Sequence, residues 1–370
     1  MLKSFKYRLK LNNKQKEYFD KCFGCTRLVY NLGLATKIQA YQSTKTNLSF
    51  YDLNKQLTDL KKDYIFLKDV GKDCLQNSLI NLDQSFKNLF KGFGFPKFKS
   101  KYSNNSCKFN QSLNIDFDEH KIKLPKIGWV NFSKDRSFSG KLKSITISKN
   151  SCGYYFASVL VDTNIKQLKP IKNEVGIDLG LKHFIVDSNG IKVDNPRYLL
   201  HSNTNLKKHQ RRLSRKTKGS NRYLKQRLKV AKCHYKISNQ RKDFLHKLSS
   251  KLINENQVIY TEDLNVSGLL KNHNLAKSIS DVGWSEFIRQ LKYKALWYDR
   301  TIKQIDRFYP SSKTCNSCGL VNQELCLSDR EWTCKCGIRH DRDINAAKNI
   351  LKTGQGMPKE DVELLHWVEL

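Results

Sequence analysis

Four cysteines near the C-terminal end of the chain, Cys315 and Cys318 followed by Cys334 and Cys336, place the tightest constraint on how it folds. Two residues separate the first pair, one separates the second, and fifteen lie between the pairs. Four thiolates at this spacing fit a closed tetrahedral site for a structural Zn²⁺, with no position left for water. Gly319 and Gly337 follow the two pairs, where a tight turn needs a residue without a Cβ. The second pair is one residue shorter than the usual knuckle, which leaves Cys326 and His340 open as substitute ligands. The chain has 11 cysteines, an odd count for a disulfide framework, and metal binding is the better reading of a clustered set. Cys22 and Cys25 repeat the two-residue spacing, but they lack a second pair and lie on an apolar helical face. They read as core packing.

The cysteine cluster runs directly into Asp341-Arg342-Asp343-Ile344-Asn345-Ala346-Ala347, the start of an Ala-rich helix. Two more carboxylates sit far upstream at apparent strand ends. Asp178 lies in Val-Gly-Ile-Asp-Leu-Gly, and Glu262 closes Val-Ile-Tyr-Thr-Glu. Phosphodiester cleavage by paired metal ions needs carboxylates that converge on ions about 4 Å apart. Magnesium suits such a site because it takes oxygen ligands and keeps waters. Taken together, Asp178, Glu262 and Asp343 are the candidate catalytic triad and the candidate ligands of two Mg²⁺. Asp341 and Asp263 are the neighbouring alternatives, and Asp341 is the better placed to cap the helix.

Charge points the same way. The chain carries 68 Lys+Arg against 34 Asp+Glu, a net charge of +34, which repels itself unless a polyanion neutralises it. Residues 201–250 hold 16 Lys+Arg and a single acidic residue, Asp243. Lys207, Lys208, Arg211, Arg212, Arg215, Lys216 and Lys218 form the densest patch, suited to following a phosphate backbone without reading its sequence. The first residues alternate apolar and basic types and have no apolar core of a signal peptide. Nowhere do 18 apolar residues run together, so an intracellular protein is expected, cytoplasmic and nucleoid-associated in a prokaryote or nuclear in a eukaryote.

The hydrophobic pattern predicts an α/β multidomain chain. Phe5, Tyr7, Leu9 and Leu11 alternate as in a strand over residues 1–12. A helical stretch over 13–91 follows, with Asn13 as its candidate cap. Residues 92–99, rich in Gly and Phe, break the pattern and read as a turn with aromatic anchors. Short alternating runs over 106–164 read as antiparallel strands, and the N-terminal strand belongs with them, which makes 13–105 an insertion. Over 173–195 three strands follow one another, with Ser188-Asn189-Gly190 as a hairpin turn. Then come a basic helical stretch over 198–250, a strand over 257–261, a helix over 284–298 and a strand over 302–308. Three antiparallel strands, helix, strand, helix, strand, helix is the order of an RNase H-like fold, with the cysteine ribbon spliced in before its last helix.

Several of these motifs resemble the TnpB (OrfB) family of transposon proteins, relatives of type V CRISPR effectors. The resemblance lies in residues 175–180, the Gln210-Arg211-Arg212-Leu213-Ser214-Arg215-Lys216 segment, Thr261-Glu262-Asp263-Leu264, and residues 308–315. It continues through Glu331-Trp332-Thr333-Cys334 and residues 341–347. It implies a transposon-encoded RNA-guided DNA endonuclease with guide RNA from the transposon end and double-stranded target DNA as partners. It implies a wedge-like β-barrel over 1–12 and 106–172, carrying a helical recognition lobe over 13–105. A RuvC-like nuclease core would span 173–310 and 338–355, with the zinc ribbon at 311–337 and a flexible tail at 356–370. A monomer is expected. The competing expectations are a guide-independent RNase H-like transposase or resolvase, and a catalytically silent regulator that binds nucleic acid.

Overall fold

A computed structural model describes residues 1–326 and 328–357. The expected tail at 356–370 lies outside these residues from position 358 onward. The chain divides into two compact units, Met1–Asn164 and Ile165–Leu370.

In the first unit, β1 (Leu2–Lys10) leads into three helices, α1 (Asn13–Thr44), α2 (Phe50–Asp63) and α3 (Lys72–Leu89). Six strands follow: β2 (Asn105–Phe109), β3 (Asn114–Asp116), β4 (Lys121–Leu124), β5 (Gly128–Ser133), β6 (Lys141–Lys149) and β7 (Tyr155–Asp162). They form one antiparallel sheet in the order β2-β6-β7-β1-β5-β4-β3. The alternation of β1 buries Phe5, Tyr7 and Leu9 and exposes the basic residues between them. Pairing runs from Leu2↔Asp162 on one side to Leu9↔Phe132 on the other. The helix cap is Asn12, one residue earlier than the sequence suggests: its side chain accepts from Gln15 N at 2.8 Å, while Gln15 Oε1 accepts from Asn12 N. Cys22 and Cys25 are buried in α1, and the Cys22 thiol meets those of Cys74 and Cys107 in the core.

In the second unit, β8 (Glu174–Leu179), β9 (His183–Asp187) and β10 (Lys192–Asp194) come first, followed by α4 (Tyr198–Ser214) and α5 (Asn221–Glu255). Next are β11 (Val258–Glu262), the short α6 (Val266–Leu269) and α7 (Ala276–Val282), α8 (Trp284–Tyr298) and β12 (Thr301–Ile305). The chain closes through the hairpin strands β13 (Glu331–Thr333) and β14 (Arg339–Asp341) into α9 (Arg342–Gln355). The five-stranded sheet has the order β10-β9-β8-β11-β12. β9 is antiparallel to β8 and to β10, whereas β11 runs parallel to both β8 and β12. The basic stretch expected as one helix is two. Gly219 takes a left-handed φ of +88°, and the Ser220 side chain caps α5 by accepting from Tyr223 N.

α9 lies unusually close to the sheet, and glycine explains it. A Cβ on Gly176 of β8 would stand 2.3 Å from the Ala347 carbonyl oxygen and 2.6 Å from the Leu351 nitrogen. The small residues Ala346 and Ala347 are both buried at this contact. Gly176→Ala is therefore expected to lower the stability of the second unit by about 3 kcal/mol, since backbone atoms cannot give way as a side-chain tip can. The fall in the urea midpoint of that unit measures it, and an unchanged midpoint would mean that α9 is held some other way.

Candidate active site and metal centre

Asp178 stands on β8, opposite Val186 of β9. Glu262 is the last residue of the adjacent parallel strand β11, and Asp343 lies in the first turn of α9, which packs on these strands. All three carboxylates are half-buried. Burial is the main reason the Asp178 carboxyl is pushed up to about 8, and the negative charges of Glu262 and then Asp343 add to it. Arg342 opposes the shift more weakly. A metal ion among the three carboxylates would relieve a repulsion that Arg342 offsets only in part.

The neighbouring acids have other partners. Asp341 caps α9, accepting from Asp343 N and Ile344 N at 3.1 Å each, and it pairs with Lys192 at 2.5 Å. Asp263 is engaged by Arg307. Among the described residues the ion-pair partner of Asp343 is the distant Arg330 guanidinium, 3.9 Å away. Glu262 is oriented by Ser311, whose hydroxyl donates to Oε1 at 2.5 Å.

Two asparagines that the sequence reading passed over join this region to the cysteine ribbon. Asn345 and Asn349 stand one helical turn apart on the buried side of α9. Asn349 Nδ2 donates to the carbonyls of Ser311 (2.8 Å) and Thr314 (2.6 Å). Asn345 Nδ2 donates to Thr314 O (2.7 Å), and its Oδ1 accepts from Asn316 N (3.0 Å). Two asparagines four apart with Ala346 and Ala347 between them, on the apolar face of a helix, were the available signal. Asn349→Ala should strand the Ser311 carbonyl and leave Thr314 O to Asn345 alone, at a cost of about 2 kcal/mol. Amide exchange over residues 311–316 should then quicken by roughly thirtyfold, and no change there would remove the clamp from the account.

The sulfur ligand atoms of Cys315, Cys318, Cys334 and Cys336 all lie within 4.8 Å of one another. Each knuckle is closed the same way. Gly319 N donates to Cys315 O and Cys315 N to Leu320 O; Gly337 N donates to Cys334 O and Cys334 N to Ile338 O. Both glycines take left-handed φ angles, +78° and +86°. The missing residue of the second knuckle is thus absorbed within its loop, with the closing hydrogen bonds retained. Of the substitute ligands, Cys326 is exposed and bonds to Glu324 O. His340 instead lies against Cys315 Sγ through Nε2 at 3.1 Å and stacks near Trp332. Burial alone would raise the Cys315 thiol. Hydrogen bonds from Cys318 and Ser317 N–H and from the Cys318 and His340 side chains outweigh it and leave it at about 6, which favours the thiolate form that binds metal.

Lys207, Lys208, Arg211, Arg212, Arg215, Lys216 and Lys218 are all exposed along α4 and the turn that follows it. Among the described residues none of them forms an ion pair, which leaves their charge open to an anion.

Comparison with known proteins agrees with this architecture. The family described as "Probable transposase" (OrfB of IS605) matches residues 157–273, and a Cas12f1-like TNB domain matches 284–350. A family described as a helix-turn-helix domain matches residues 1–46, although in this structure that stretch is β1 followed by the one long helix α1. A Streptomyces pristinaespiralis protein named "Putative RNA-guided DNA endonuclease" is 39% identical over 95% of this chain and 89% of its own length. Escherichia coli K12 InsQ, with the same description, is 30% identical over 96% and 93%. Among solved structures, the Cas12f1 chain of a complex with guide RNA and target DNA superposes with a TM-score of 0.57. It is 16% identical, and the match covers 92% of this chain and 83% of that one. The mini-endonuclease Cas-phi3 gives a TM-score of 0.51 at 9% identity, covering 97% and 93%. No helix of the described residues is long and apolar enough to cross a membrane. The chain belongs to the TnpB (OrfB) family, transposon-associated proteins related to the type V effectors.

Proposed function

We propose that this protein is an RNA-guided DNA endonuclease, cutting DNA where a bound guide RNA pairs with it. The observation that carries the reading is the crowding of Asp178, Glu262 and Asp343 from two neighbouring strands and the helix packed on them, with the Asp178 carboxyl held well above its ordinary range. The relatives of near-equal length named as RNA-guided DNA endonucleases support it.

In this reading the five-stranded sheet with α9 is a RuvC-like nuclease core over 173–310 and 338–355. The ribbon at 311–337 is a structural zinc site held by Cys315, Cys318, Cys334 and Cys336. Residues 1–12 and 106–172 serve as the wedge, and 13–105 as the recognition lobe. Asp178, Glu262 and Asp343 would hold two Mg²⁺. The chemistry two ions held there would supply is activation of water and charge stabilisation of the departing 3′ oxygen. The chain's own part is to fix the ligands. Ser311 sets the Glu262 carboxylate, and Asp341 takes the helix N–H groups so that Asp343 remains free for a cation. The cations of α4 and its following turn hold phosphates without reading bases, which leaves target choice to base pairing.

The test is to purify the protein from cells that carry its transposon end, sequence the copurifying RNA and assay a plasmid with a matching target. A defined RNA and cutting that needs both that RNA and its complement are expected. Cutting by RNA-free protein would move the reading to a guide-independent transposase or resolvase. RNA binding without any cutting would make it a silent regulator.

A further inference from the structure

The segment that leaves α3 carries aromatic rings the core does not use. Phe90 is 80% exposed, Phe93 64%, Phe95 52%, Phe98 57% and Tyr102 86%. Lysines alternate with them at 91, 97, 99 and 101, and no acidic residue occurs anywhere from 84 to 115. The stretch is nonetheless tied down. Phe95 packs edge-on against Phe86 with ring centroids 5.7 Å apart, and Pro96 is buried. Asn31 holds the Lys99 backbone on both sides, donating to its carbonyl at 2.9 Å and accepting from its N–H at 2.8 Å. Lys99 Nζ rests over the Tyr30 ring, 3.8 Å from its centroid. So the expected aromatic anchoring is confined to Phe95, and the pegs present Phe93, Phe98 and Tyr102 to solvent.

We propose that this strip is a stacking platform for unpaired nucleotides of single-stranded RNA. Flat rings with interleaved cations and no carboxylate match the two things an unpaired strand offers, base faces and phosphates. Duplex hides its base faces and would use only the lysines. Rings this exposed are unfavourable in water and are best covered by a partner that stays. The guide RNA is that partner in the reading above, on which the choice of RNA rests; target DNA is present only during turnover.

The test is binding by the full-length chain, freed of RNA by high salt, in buffer without added divalent cation. The probes are oligouridylate and oligothymidylate of about twelve nucleotides, within the usual range of such sites, and an RNA duplex of equal length. Removing rings costs about tenfold or more per lost stack, so F93A/F98A/Y102A should weaken oligouridylate binding by roughly a hundredfold. Duplex binding should change by less than about threefold, and the salt dependence should persist because the lysines remain. The leucine triple F93L/F98L/Y102L keeps apolar bulk without a flat ring, and it should lose the single strand as the alanine triple does. Equal losses for single strand and duplex, no loss at all, or a larger loss for oligothymidylate would each overturn the proposal. So would a shift of the free protein from dimer to monomer in the alanine triple. Because the readout is binding, failure of the nuclease reading would appear as lost cutting with this platform intact.

Discussion

Asp178→Ala should abolish DNA cleavage, lowering the rate by at least about a thousandfold, while RNA binding stays unchanged. A carboxylate that positions a catalytic cation contributes several kcal/mol to the transition state, and each 1.4 kcal/mol is about tenfold in rate. The effect should be the largest of any single substitution because the charges of both other acids converge on Asp178. Alanine also relieves crowding, so the variant should fold at least as well as the parent. Single-turnover cleavage beside filter binding of the guide RNA separates the two effects. Cleavage within tenfold of the parent would place the chemistry elsewhere. Glu262→Gln tests the same set with less change of shape: the Ser311 hydrogen bond has an acceptor left, but the metal ligand loses its charge.

Loss of the zinc proposed for the four cysteines should have the second largest effect. Cys315→Ser, or stripping with a thiol-selective chelator, is expected to unfold residues 314–341. Among the described residues the ribbon's own apolar core is Cys315, Leu325, Trp332 and Cys334, too little to hold its loops by burial. Structural zinc contributes about 10–16 kcal/mol of apparent binding energy in small domains of this kind. Metal analysis should give one zinc per parent chain and none in the variant. The Trp332 emission should shift to the red as its buried ring meets water. Since Thr314, Asn316 and Ser311 are bonded to α9, cleavage should fall as well, through loosening of Glu262. A ribbon that keeps its amide protection without metal would show that hydrogen bonds alone suffice.

What was readable in the chain beforehand follows the range of the physics involved. Strand alternation over Phe5, Tyr7 and Leu9 is local, and the buried faces of β1 match it. The strand series from β8 to β12 was legible because Gly, Asn and Pro punctuate short apolar runs. β2 and β3 fall within the stretch 106–164 that reads as antiparallel strands, but their bounds were not legible, because Asn105-Ser106-Cys107-Lys108-Phe109 and Asn114-Ile115-Asp116 have little β propensity and owe their state to neighbours, β6 and β4. The break between α4 and α5 was hidden by uniform charge on both sides of Gly219. At the site, residue type and chain position suggested the three acids and four thiols. The Ser311, Asn345 and Asn349 contacts depend on carbonyls and a carboxylate brought in from elsewhere, and no local pattern encodes those.

The place of β1 in its sheet has a consequence for biosynthesis. It leaves the ribosome well before either of its neighbours, β5 and β7, which lie more than a hundred residues downstream. The nascent chain must therefore carry an unpaired apolar ribbon and three part-formed helices until the stretch near Asp162 emerges. Stalling or truncation before that point would leave a sticky intermediate for chaperones to hold, and slower translation through 120–162 would prolong the exposure.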